Sequence, residues 1–397
     1  MKRKAGSGPK KKPTPDETKT KPLGTGVQQS SLRVFFYSAQ GTAKGFKNKG
    51  NTCYVAATLS ALFSVRNVTR ALRDVSPGAP SGLVTSQLAE LADQFLQRCS
   101  GATGVMDVER LKNAVAVWDR TFDGSVQQDA QEFLCGLLNI CDEEATKADS
   151  AQGGADVATP TREPHSIYDL FEGRYEHTLC CCACAHSWQR SERFLHISLD
   201  VGGSGLVSDM LDAAVHAPGH VECRCERCGH DLARATHRLE RLPSSLLLHV
   251  KRFSYQAHGP AKAFDLVRLA RTLQISTDGP AAQRPPHEAP PALPTEAEQL
   301  AWALRESQHM ADDQAAQRRT GGAASPCSEY ELRAVVSHIG QSAQEGHFTA
   351  DGCVDGQWLR FDDSTVFPLA LEKVLLDAKA TSYLVVYERT DTCIGAG

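Results

Sequence analysis

No stretch of the chain approaches the roughly 18 consecutive apolar residues that a membrane-spanning helix needs, and its first residues lack the apolar core of a secretory signal. These absences set aside a membrane span and a secretory route, and predict an address in the nucleus and/or cytoplasm. Basic charge is not in excess either. With 43 Lys and Arg against 47 Asp and Glu, the formal net charge is -4, which gives no reason to expect nucleic acid as a partner. No internal repeat is evident.

What is present is enough for a sizeable core: 397 residues, 41% of them hydrophobic, suit one large domain or two ordinary ones. The charge is unevenly spread, because the first 22 residues hold eight Lys or Arg and two acids. Residues 1–30 are rich in Lys, Pro, Thr, Gly and Ser and are expected to be a disordered basic tail, since they cannot bury enough surface to offset ordering entropy. Lys2-Arg3-Lys4 and Pro9-Lys10-Lys11-Lys12 read either as a nuclear import signal or as a solvated tail. Fourteen cysteines in a chain without a secretion signal are expected to be free thiols, catalytic groups or metal ligands rather than disulfides.

Helical periodicity comes first along the chain. Val55, Leu59, Leu62 and Phe63 recur at helical spacing from about Cys53 to Ser64, behind Thr52 as a candidate N-cap. Val84, Leu88, Leu91 and Phe95 mark a second helix, and Ala130, Phe133, Leu134, Leu137 and Cys141 a third, with Asp129 near its start. An exposed loop is expected over 148–164. Strand-like runs follow at Leu246 to Phe253, Tyr330 to His338, Trp358 to Phe361 and Tyr383 to Tyr387, so the fold class is α+β. A Pro, Ala and Gln-rich segment over 276–328 reads as a flexible insertion, with one helical island at 296–310 whose stripe is Leu300, Ala303, Leu304 and Ser307.

Three constellations carry chemistry. In Gly45-Phe46-Lys47-Asn48-Lys49-Gly50-Asn51-Thr52-Cys53-Tyr54 a cysteine stands where a loop enters a helix, and helix N-termini favour thiolate. A buried cysteine acting as a small hydrophobe is the bland alternative. The second is Ser337-His338-Ile339-Gly340, then Glu345-Gly346-His347-Phe348, then Trp358-Leu359-Arg360-Phe361-Asp362-Asp363. It offers an imidazole to take a thiol proton and a carboxylate to orient that imidazole. The third supplies two Cys-x-x-Cys knuckles, Cys181 with Cys184 and Cys225 with Cys228, enough for a closed tetrahedral zinc site. The additional Cys180, Cys182 and Cys223 leave the ligand register open.

Taken in chain order, the first block, then Gln127-Gln128-Asp129-Ala130-Gln131-Glu132-Phe133-Leu134, then the third block and last the second, they resemble the ubiquitin-specific proteases over about Lys44 to Arg389. Leu242 to Phe253 and Tyr383 to Arg389 resemble two further strands of that family. The resemblance implies a catalytic domain over 44–390 with a papain-like fold, a helical thumb, a β-rich palm and zinc-ribbon fingers. It also implies a deubiquitinating thiol protease whose partners are ubiquitin and ubiquitinated proteins. Cys53 would be the nucleophile, His347 the base, Asp362 its orienter and Asn48 the oxyanion-hole donor. Gln128, Asp129 and Phe348 would lie near the ubiquitin tail, and one structural zinc would be held by Cys181, Cys184, Cys225 and Cys228, with no cofactor for catalysis. The 296–310 helix resembles a ubiquitin-interacting motif suited to polyubiquitin, as in a subgroup carrying such motifs within the catalytic domain. Lys49, Ala56, Ser60 and Phe348 depart from the family's usual Leu, Asn, Gln and Tyr. The alternatives are an inactive ubiquitin-binding scaffold, a protease for a ubiquitin-like modifier, and a zinc-finger binding module, which leaves the histidine block unexplained.

Overall fold

The computed structural model describes residues 43–75, 83–96, 105–151, 166–203, 205–216, 219–256, 259–277, 327–342 and 345–390. The basic tail 1–30, and residues 278–326 of the insertion with the helix placed at 296–310, lie outside them. Six helices come first: α1 (Cys53–Phe63), α2 (Arg66–Arg73), α3 (Leu83–Leu96), α4 (Glu109–Trp118), α5 (Ala130–Ala151) and α6 (Ile167–Phe171). A sheet of four antiparallel strands follows, ordered β2 (Ser187–Phe194), β1 (Gly173–Cys181), β5 (Leu232–Arg241), β4 (Gly219–Glu222).

The larger sheet has eight strands. Its path runs β13 (Thr365–Leu369), β12 (Gln357–Asp362), β11 (His347–Val354), β10 (Cys327–Ile339), β14 (Ser382–Arg389), β6 (Ser245–Lys251), β3 (Ile197–Asp200), with β9 (Thr272–Ser276) also on β10. β7 (Phe253–Gln256) and β8 (Gly259–Lys262) form a separate hairpin. The expected α+β order holds, although α7 (Val207–His216) and α8 (Leu371–Thr381) lie among the strands.

The large sheet is buried on both faces, which is why its central strands read as near-continuous apolar runs. Successive residues divide between two cores: Ala334, Val336, Leu384 and Val386 pack toward the helices that precede the sheet. Val335, Val385 and Tyr387 pack toward α7 and α8. The small sheet has much less to bury, with only Leu179, Ala233 and Ala235 in its own cluster.

Three sequence expectations shift. The run expected as one strand to Phe253 divides at Arg252, which is fully buried and donates to the carbonyls of Ser382, Ala263, Asp265 and Lys379. Burial of that guanidinium lowers its pKa to about 10. Thr52 makes no side-chain cap to α1; its hydroxyl accepts from Lys49 N–H at 3.3 Å and reaches Asn48 Oδ1 at 3.3 Å. The loop placed from 148 starts later, because α5 continues to Ala151 and Ser150 Oγ donates one turn back to the Thr146 carbonyl at 2.8 Å.

Helix α3 depends on a partner for its exposed N–H groups. Buried Glu144 of α5 accepts from Val84 N–H at 3.1 Å, Thr85 N–H at 2.9 Å and Thr85 Oγ1 at 2.7 Å. Replacing Glu144 by Ala is expected to lower unfolding stability by about 2 kcal/mol or more, read from urea midpoints, because three charge-assisted bonds go at once.

Candidate active site

Cys53 is the first residue of α1 and is almost wholly buried. The loop before it is ordered by one side chain: Asn48 Oδ1 accepts from Gly50 N–H at 3.0 Å and Thr52 N–H at 3.3 Å. Asn51 takes a left-handed conformation, φ 54°, and its Nδ2 donates to the Ser125 carbonyl at 2.9 Å. Asn suits this position, since it tolerates left-handed backbone better than most residues. On its other side Asn48 Nδ2 donates to Asp363 Oδ2 at 2.9 Å.

His347 opens β11 and Asp362 closes β12, strands that pair antiparallel. His347 Nε2 lies 2.6 Å from Asp362 Oδ1 and 4.0 Å from Asp363 Oδ2. A carboxylate on Nε2 leaves Nδ1 as the nitrogen available to Cys53. The Cys53 side chain is the largest of the influences that raise the His347 pKa to about 9; partial burial opposes it and the Asp362 bond adds to it. The four residues expected at the reacting centre, Cys53, His347, Asp362 and Asn48, are thus brought together from segments about three hundred residues apart.

Gln127, not singled out by sequence, and Asp363, read there only as an assistant to Asp362, also belong to the centre. Gln127, next to the expected Gln128, points Nε2 at Cys53 Sγ from 3.9 Å, and Asp363 anchors Asn48. The only signals were the glutamine-rich block itself and the paired aspartates. Asp129 caps α5 by accepting from Gln131 N–H at 2.7 Å and Glu132 N–H at 3.1 Å, and its other oxygen accepts from Tyr383 Oη. Gln128 is half-buried beside it. Phe348 is 2% exposed, its ring against His338 and Tyr383 with centroids 4.7 and 5.7 Å away.

At the end of the small sheet the β1–β2 turn and the β4–β5 turn meet, because β1 pairs with β5 up to Cys181 opposite Ala233. The sulfurs of Cys181, Cys184, Cys225 and Cys228 all lie within 4.8 Å of one another, with Cys181 3.5 Å from Cys228 and Cys184 3.7 Å from Cys225. Four thiolates around one zinc at about 2.3 Å would stand about 3.8 Å apart, so the cluster fits a tetrahedral ion. N–H groups of Cys184 and Ala183 favour the Cys181 thiolate. Cys180, Cys182 and Cys223 fall outside the group, which fixes the register that the sequence leaves open.

A helix-borne thiol meeting an imidazole carried by an adjoining sheet, with a carboxylate behind the ring, defines the papain-like class of cysteine proteases. Residues 44–387 match the profile of the ubiquitin carboxyl-terminal hydrolase family, and the chain belongs to that family. Mouse ubiquitin carboxyl-terminal hydrolase 37 is 28% identical over 240 residues, 56% of this chain and 24% of that protein. The chain thus spans about a quarter of that relative's length. Ubiquitin carboxyl-terminal hydrolase 4 of Arabidopsis thaliana is 26% identical over 349 residues, covering 81% of this chain and 84% of the plant protein. The fold resembles that of the SAGA Ubp8/Sgf11/Sus1/Sgf73 DUB module bound to ubiquitin aldehyde, with TM-score 0.64, 21% identity and coverage of 89% of this chain and 70% of that one.

The imidazolium of His347 is held by its partners, so its charge is present below about pH 9 and is lost as pH rises through that value. A nitrogen NMR titration is expected to place the His347 midpoint near 9, and to move it down in both Asp362→Asn and Cys53→Ala. An unchanged midpoint in Cys53→Ala would mean that sulfur and ring do not meet.

Proposed function

We propose that the chain is a thiol-dependent deubiquitinating protease, hydrolysing isopeptide or peptide bonds at the C-terminal glycine of ubiquitin on protein conjugates. The observation that carries this reading is the Cys53–His347–Asp362 geometry at the N-terminus of α1, with the Asn48 amide beside it. Family membership supports ubiquitin as the modifier.

In the proposed reaction the Cys53 proton already resides on His347, and the sulfur attacks the scissile carbonyl carbon as the thiolate. Charge then develops on the carbonyl oxygen, where the second N–H of Asn48 Nδ2 is available beside the one held by Asp363. Gln127 Nε2, already facing the sulfur, is a second amide donor to that region. The His347 proton passes to the departing amine, the C–N bond breaks, and a thioester remains on Cys53. Water then attacks the thioester with His347 as base, releasing the ubiquitin carboxylate and restoring the thiol. Asp362 holds the ring in the orientation both halves need. Removing an oxyanion donor such as Asn48 typically costs on the order of 10²-fold or more in turnover.

Asp129 and Gln128, with Phe348 beneath, are placed by this reading along the path of the ubiquitin tail. Asp129 has a structural duty there as well, since it caps α5. Structural zinc on Cys181, Cys184, Cys225 and Cys228 would close the tip of the four-stranded fingers sheet, whose own apolar cluster is small. Polyubiquitin binding by the 296–310 helix and nuclear or cytoplasmic localisation rest on the sequence alone.

An electrophilic ubiquitin probe is expected to label the parent and not Cys53→Ala; equal adducts in both would end the proposal for Cys53. Metal analysis should find about one zinc per chain in the parent. In Cys225→Ser the ion should be lost and the thermal midpoint lowered, because three ligands leave an incomplete site.

A further inference from the structure

Lys262, at the end of the β7–β8 hairpin, spends all three ammonium N–H groups on one short stretch of chain. Its Nζ donates to His338 Nδ1 at 3.0 Å, to the His338 carbonyl at 2.9 Å and to the Gly340 carbonyl at 2.7 Å. Acceptance at Nδ1 puts the His338 proton on Nε2, so the ring is neutral with one defined tautomer. Burial, then the Lys262 charge, lowers the His338 pKa to about 4, in keeping with that state.

The His338 ring is fully buried and walled by Phe253 and Phe348, with centroids 5.0 and 4.7 Å away. Its far edge abuts the residue before the reacting imidazole. A Cβ on Gly346 would stand 2.5 Å from His338 Nε2 and 2.7 Å from the Ile339 carbonyl, so backbone and ring are in direct contact there. The backbone also pairs Ile339 with His347 across β10 and β11. Lys262 therefore reaches His347 through two links: ring to Gly346, and strand end to strand start.

We propose that Lys262 is a positioning residue for His347, acting through His338. The proposal rests on the deubiquitinase reading for its kinetic consequence and on geometry alone for its structural one. Without the ammonium, His338 loses the donor that fixes its tautomer, two carbonyls lose their partner, and the ring is free to turn against Gly346. The imidazole of His347 then loses its fixed distance to Cys53 while the groups that bind ubiquitin at a distance stay in place. A displacement of this kind acts on turnover more than on substrate binding.

The test compares the parent with Lys262→Met and Lys262→Arg on a fluorogenic ubiquitin substrate, after titrating active sites with the electrophilic ubiquitin probe. Lys262→Met is expected to keep a full complement of titratable sites, to lose about tenfold in kcat and to change KM less than about twofold. Lys262→Arg, which keeps a charged donor, should recover part of kcat. In parallel, the nitrogen resonances of His338 and His347 should show a changed His338 tautomer and a shifted His347 midpoint in Lys262→Met. Unchanged kcat per titrated site together with unchanged imidazole resonances would overturn the proposal. A fall in activity matched by an equal fall in titratable sites, as from misfolding, would overturn it too. A parent that neither hydrolyses the substrate nor takes the probe would count against the deubiquitinase reading, and the resonances would still decide the role of Lys262.

Discussion

Helix α1 is buried along its whole length, all eleven residues of it, and everything at the reacting centre follows from where that helix can lie. A helix with no solvent face must be enclosed by other elements. Here it lies against β11, and the fit is close: a Cβ at Gly352 would stand 2.0 Å from Ser64 Oγ, so glycine there leaves room for the side chain that caps the helix. The rings of Phe63, Phe95 and Phe361 pack at a tilt nearby, with centroids 5.4 Å apart for the first pair and 5.3 Å for Phe95 and Phe361. Cys53 begins the helix and His347 begins the strand. Their meeting is thus set by core packing, which resists sliding, and loop conformation has little freedom to alter it.

The exposed side of the centre is held by polar contacts instead. Asp363, in a left-handed conformation at φ 49°, accepts Phe46 N–H on its carbonyl at 2.8 Å and Asn48 on its side chain. The turn that follows Asp362 is therefore the same turn that anchors the loop before Cys53. A left-handed non-glycine residue costs roughly 1 kcal/mol, which two such bonds offset. Farther from the cleft, buried Glu388 of β14 accepts from Arg333 at 3.0 Å, Arg66 at 3.0 Å and Asn67 N–H at 2.8 Å, tying α2 to the central sheet. Removing Arg333 there would leave the buried Glu388 carboxylate with only the solvent-exposed Arg66 as a charged partner.

How much of this was legible in the sequence depended on whether the cause was local. The stripes of α1, α3 and α5 and the apolar runs of β6, β10 and β14 are period patterns, and they appear in the structure close to where they were read. Helix α8 escaped because it buries only Val374 and Ala378, too little for a visible stripe, and α2 buries only Val68, Thr69 and Leu72. Cys53 and His347 were found because a motif marks them. Gln127 was missed because its role arises from a contact 74 residues distant in sequence, and Asp363 was read as an assistant to Asp362 without its tie to Asn48, 315 residues away. Thr52 misled for the same reason: its hydroxyl is claimed by the Asn48–Lys49 turn instead of the helix. The four-cysteine register could be read only once β1 and β5 were paired.

Two of the departures from the family pattern, Phe348 and Lys49, are held in different ways. Phe348 lacks a hydroxyl, but its ring is buried between His338 and Tyr383, and the neighbouring Tyr383 keeps its own hydroxyl on Asp129. Lys49 is different in kind, since an apolar side chain at that position would hold the loop by packing. Lys49 holds it by charge, with Nζ 2.5 Å from both Asp107 and Glu109. Those acids raise its pKa, yet the three side chains are 36%, 48% and 57% exposed, so salt screens the attraction strongly. Phe46, fully buried and paired with Met106, does not share that dependence. The Asn48 loop is thus tethered at one end by packing and at the other by a solvated ion cluster, so salt acts on one of its two tethers and not on the other.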